Sequence, residues 1–179
     1  MPIYDLNDIS FLQHDIDNNL NTIGSLYEIK FKTIGGEYYP KTIVSKENYW
    51  TSDACKTAFN NMVPVAKSLL KDMYAVLENY FKAKNGSFNK NDKHNFENQY
   101  IHLKELRLIN NKFKHYTDSG AEITLTEMVI MESDGHHIDM LCNFTYKDGS
   151  FVALRLADLI DAYLTILEDQ KVISIHREN

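Results

Sequence analysis

Arg107, Asn111 and His115 stand four residues apart in LRLINNKFKHY, the segment from Leu106 to Tyr116. Helical residues at i, i+4 and i+8 drift by only about 40° per step, so a guanidinium, an amide and an imidazole form one row along one face. Such a trio can hold and cleave a phosphodiester without a metal. A histidine titrating near neutrality moves a proton from a ribose 2′-hydroxyl, the amide orients the substrate, and the arginine meets the charge developing on phosphorus. Lys112 and Lys114 lie beside the row and Lys104 one turn before it, so a phosphate-bearing ligand is expected at this helix end. The same lysines and His115 also suit the negative end of a helix dipole with no ligand at all.

Elements of two kinds must position this row. From Leu6 to about Phe31, Leu12, Ile16, Leu20, Ile23 and Tyr27 recur at helical spacing and predict helix one. The stretch from Glu37 to Trp50 carries a proline and four aromatics without helical period and reads as an ordered loop with room for one short strand. Thr51-Ser52-Asp53 offers N-cap oxygens to helix two, which runs to about Ala83 with a kink or break expected near Asn60 to Val63, ahead of Pro64. Helix three is predicted from Asn91-Asp92 through Phe96, Tyr100, Leu103 and Ile109 to Tyr116, with Thr117-Asp118-Ser119-Gly120 as its stop.

The period then changes from 3.6 to 2. Asp134-Gly135 and Asp148-Gly149 separate three β-rich runs, which predicts an antiparallel meander over about 121–156 with two-residue turns. With such turns Met131 faces Ile138, Val129 faces Met140, Leu125 faces Phe144 and Ile123 faces Tyr146. Glu127, Cys142 and Arg155 then share a row, so Glu127 and Arg155 are expected to form a structural ion pair over the thiol. A last helix runs to about Val172, and the tail ISIHREN reads as frayed. The expected fold is α+β, one domain over 1–179: a bundle of about four long helices (6–116 and 157–172) with the meander inserted before the last.

Composition narrows the function classes. A chain of 179 residues with 44% hydrophobic and 25% charged residues can bury its own core, and no apolar run approaches the ~20 residues that span a bilayer. The first residues carry no basic and apolar leader pattern, so a cytoplasmic, non-membrane protein is expected. Two cysteines, Cys55 and Cys142, without a CxxC, indicate neither a disulfide framework nor zinc. A net charge of −6 disfavours broad nucleic-acid binding and leaves a local basic patch. His137 and Asp139 share a strand face with Glu132 as cross-strand neighbour, too few ligands for a metal site, so no metal is assigned. His94 and His102 read as surface or capping residues. GxGxxG, GxxxxGK[ST] and a serine elbow are all missing, so no cofactor is implied.

Asn110-Asn111-Lys112-Phe113-Lys114-His115 resembles the RNxxxH signature of the HEPN superfamily (higher eukaryotes and prokaryotes nucleotide-binding), helical-bundle proteins of which many are metal-independent ribonucleases. Several branches are similar in ending Asn-x-x-Lys-His, as Asn111 to His115 does. The resemblance matches Asn111 to the motif's Asn and His115 to its His. It puts Asn110 where the family has its arginine, three residues after Arg107. It implies an RNA or nucleotide ligand and a place in defence or toxin systems; taken together with the row and its lysines, the expected site has Arg107, Asn111 and His115 as catalytic residues, or as a degenerate non-cleaving set, and Asn110, Lys112 and Lys114 as ligand contacts. A homodimer whose histidines share a cleft is implied too. The competing class is a non-catalytic interaction or scaffold domain with a protein partner and no nucleic acid, favoured by the missing motif arginine and the acidic net charge.

Overall fold

The computed structural model describes residues 10–31, 36–45, 52–116, 120–133 and 135–174. The architecture is α+β, with five helices and two antiparallel sheets among these residues. The predicted helix start at Leu6, the cap at Thr51, the stop at Thr117 to Ser119, Asp134 and the end of the tail lie outside them.

Helix α1 (Ser10–Leu26) buries Leu12, Ile16, Asn19, Ile23 and Leu26, one stripe at steps of three and four, against α2 (Ser52–Asn85). The expected helix to Phe31 is too long. Tyr27–Phe31 is strand β1, hairpinned to β2 (Gly36–Pro40), and β3 (Ile43–Ser45) follows, so the predicted loop contributes two strands rather than one. The sequence YEIKF alternates and is β-branched or aromatic at every other position, which favours a strand once a partner is available. Helix α2 runs unbroken through Pro64. Its apolar face, from Met62 to Phe81, packs against α1, α4 and α5, and that burial outweighs the ~3 kcal/mol that an interior proline costs.

The predicted third helix is two helices. Helix α3 (Lys90–Gln99) is closed at its start by a capping box between Asn89 and Asp92 and buries no residue fully. Tyr100 is extended, His102 takes the left-handed conformation (φ 65°), and α4 (Leu103–His115) then turns Leu103, Leu106 and Ile109 into the core. KNDKHNFENQ has one apolar residue, Phe96, which stacks on Phe81 with ring centroids 4.0 Å apart. The stack holds α3 at Phe81 of α2 while α4 turns its own apolar face into the core, and the chain bends between them.

Strand β5 (Gly135–Tyr146) is the centre of the larger sheet: β4 (Ala121–Met131) pairs along one side, β3 and β6 (Phe151–Arg155) in succession along the other. The predicted meander therefore gains a fourth strand. Ile138, Met140, Cys142 and Phe144 face the helices and are fully buried, and α5 (Leu156–Asp169) closes the core. Both registers differ from expectation. Glu132 N–H donates to the Gly135 carbonyl at 3.0 Å, so Gly135 already belongs to the strand and Met131 faces His136, Val129 faces Ile138, Leu125 faces Cys142 and Ile123 faces Phe144. A shift of two keeps every side chain on its expected face. At the second turn Tyr146 N–H donates to the Ser150 carbonyl (2.9 Å) around a three-residue loop with Gly149 at φ +86°. That slip of one turns β6 over, places Leu154 opposite Cys142, and sends Arg155 to the opposite face.

Gly135 has a different task from the turn residue expected of it. A Cβ there would lie 2.7 Å from the Val44 carbonyl oxygen across the β3 pairing. Gly135→Ala is expected to cost about 1–3 kcal/mol by forcing β3 away, read as a lower urea midpoint. A change below about 0.5 kcal/mol would mean β3 has slack that the backbone geometry denies.

Candidate anion-binding groove

Helices α3 and α4 meet at the Tyr100 to His102 bend and enclose a groove of about 360 Å³ lined by Lys90, Lys93, His94, Glu97, Arg107 and Asn111. The α3 residues fall at i, i+3, i+4 and i+7, one face of the helix, with Arg107 and Asn111 one turn apart on α4. Three lysine or arginine side chains, an imidazole, an amide and one carboxylate converge there. Glu97 is the counterion: Arg107 Nε donates to its Oε1 and Nη2 to its Oε2 (3.4 Å), with both side chains largely covered. His94 Nε2 and Asn98 Nδ2 lie 3.3 Å apart.

The predicted row is split. Arg107 and Asn111 line the groove, whereas His115 is exposed in the last turn of α4 and is not part of the lining. Asn110 is buried and points the other way, its amide donating to the Lys71 carbonyl on α2 at 3.1 Å. Lys112 reaches the Ile123 carbonyl on β4 through Nζ, and Lys114 is exposed. Lys90, Lys93 and His94 are not among the expected site residues; His94 is exposed, as expected of a surface residue, and also lines the groove. Their common face on α3 was readable from spacing. That α3 folds back beside α4 was not.

Arg155 does not pair with Glu127. After the register slip its Nε and Nη2 donate to Asp139 Oδ2 at 2.9 and 2.7 Å, and Nη2 also donates to the Tyr38 carbonyl at 3.1 Å. The other oxygen, Oδ1, accepts from Tyr27 O–H and from Met140 N–H (2.8 Å). Asp139 is fully buried, and burial together with its charge pushes the Tyr27 phenol far above its ordinary range, so this hydroxyl stays a donor. Glu127 is exposed opposite Met140. His137 meets Glu132 as expected (3.2 Å), but its Nδ1 lies 2.6 Å from the Pro40 carbonyl while Asp139 belongs to Arg155. Among the described residues no group of three His, Cys, Asp or Glu side chains could hold a metal. Both cysteines are free and buried, and desolvation pushes the Cys142 thiol up to about 12, far from a nucleophile's range. No described helix is long and apolar enough to cross a membrane.

No family model matches the chain, and neither a curated protein nor a solved structure matches it.

Proposed function

We propose that this is a HEPN-like RNA- or nucleotide-binding protein that holds phosphate in the α3–α4 groove and does not cleave it. The observation that carries this reading is the convergence of Lys90, Lys93, His94, Arg107 and Asn111 on one concave surface of an otherwise acidic chain. Local cations with an amide donor suit phosphate oxygens. Cleavage by the motif's own histidine is disfavoured because a proton carrier must come within hydrogen-bond reach of the proton it moves, and His115 lies a full turn beyond Asn111 outside the groove. Asn110, at the motif's arginine position, is spent on Lys71. The homodimer stays part of the proposal and is checked by sedimentation.

A second reading is a protein-interaction domain without a nucleic-acid ligand, in which the exposed Ile101 (72%) and Tyr116 (91%) would be contact residues. Anisotropy of a labelled RNA separates the two. The groove reading expects binding that weakens at least about tenfold in Lys93→Glu and in Arg107→Ala, which also strands Glu97 beside the phosphate. A wild type that ignores RNA and nucleotides at low salt supports the interaction domain instead. RNA incubated with the protein in EDTA should stay intact; cutting that His115→Ala abolishes would restore the ribonuclease.

A further inference from the structure

Glu97 is the one carboxylate among the groove's lining residues. Its carboxylate accepts from two of the three guanidinium nitrogens of Arg107, Nε and Nη2, on the groove lining. An internal phosphodiester, with one negative charge, that took the place of this carboxylate on the guanidinium would exchange like for like and leave Glu97 covered and unpaired. A terminal phosphate carries about −1.5 to −2 charges at pH 7 and three acceptor oxygens, so it supplies more than the carboxylate it replaces. The charge count agrees: with His94 neutral, Lys90, Lys93 and Arg107 against Glu97 leave two net positive charges on the lining. A cavity of about 360 Å³ lies at the small end for ligand sites and suits one nucleotide unit.

Resting on the groove being a phosphate site, we propose that it selects a terminal phosphomonoester, on a mononucleotide or at an RNA end, and that Glu97 is the specificity-determining residue that turns internal phosphodiesters away. Rejection comes from the pair that a weaker anion would break without replacing.

The test is anisotropy of one RNA sequence with either a 5′-phosphate or a 5′-hydroxyl, against wild type, Glu97→Gln and Glu97→Asp. Wild type should prefer the phosphorylated strand by about tenfold or more. In Glu97→Gln the 5′-hydroxyl strand should bind more tightly and the preference should fall to about twofold, whereas Glu97→Asp, which retains the charge, should keep most of it. Competition by AMP as strong as by the phosphorylated strand assigns the free nucleotide; competition by the strand alone assigns the RNA end. Equal binding of both strands by wild type, or an undiminished preference in Glu97→Gln, would overturn the role of Glu97 while the groove stands. Failure of wild type to bind either strand or AMP would remove the groove reading and this inference together.

Discussion

Arg155→Met should destabilise the protein by about 3–5 kcal/mol, because it leaves the Asp139 carboxylate buried without its cation. Asp139 is fully buried where the β1–β2 hairpin crosses the outer face of β5, and its oxygens bind three elements together: Tyr27 of β1, its own strand, and the guanidinium at the end of β6. Through Nη2 the same arginine also holds the Tyr38 carbonyl of β2. The hairpin is thus attached by a polar network in which every partner needs the others. Asp139→Asn in the Arg155→Met background should recover part of the loss, since a neutral amide can still accept from Tyr27 and no charge remains to be solvated. Urea unfolding of both variants measures this. A single-variant loss below about 1 kcal/mol would show that water reaches Asp139 and that the network is not what seats the hairpin.

Phe81→Ala should cost a comparable 3–5 kcal/mol or so and should also cost the groove. Phe81 is fully buried on α2, with Phe96 stacked at 4.0 Å and Phe88 at 5.5 Å. Phe96 is the one apolar side chain of α3, so deleting its platform loosens the helix that carries Lys90, Lys93, His94 and Glu97. RNA affinity of the folded variant should fall about tenfold although no groove residue has changed. Phe81→Leu, which keeps most of the volume, should lose less of both. A variant that is destabilised but binds as wild type would mean α3 is positioned by something other than the aromatic stack.

What was legible in the sequence was what periodicity and sterics determine locally. The stripes of α1, α2, α4 and α5 and the switch to strands after Gly120 all follow from spacing. The errors lie where tertiary partners decide. YEIKF continues a helical pattern until the β2 partner exists, and α3 separates from α4 because of a stack on Phe81, 15 residues away in sequence from Phe96. Asp148-Gly149 signalled a turn correctly, but its three-residue form moved Arg155 to the other face and changed its partner from Glu127 to Asp139. The site was half legible for the same reason. Arg107 and Asn111 share a face by helical geometry alone, while the cations of α3 joined them only through the bend at Tyr100 to His102.

The most direct measurement is an NMR titration of isotope-labelled protein with a 5′-phosphorylated ribo-oligonucleotide, following each assigned resonance. Saturable shifts gathered on Lys90, Lys93, His94, Glu97, Arg107 and Asn111, and lost in Arg107→Ala, are the predicted result. Shifts that bypass these residues and gather at the cavity beside Tyr38, Arg155 and Asp161, or no shifts at all, would contradict the assignment of the α3–α4 groove as the binding site.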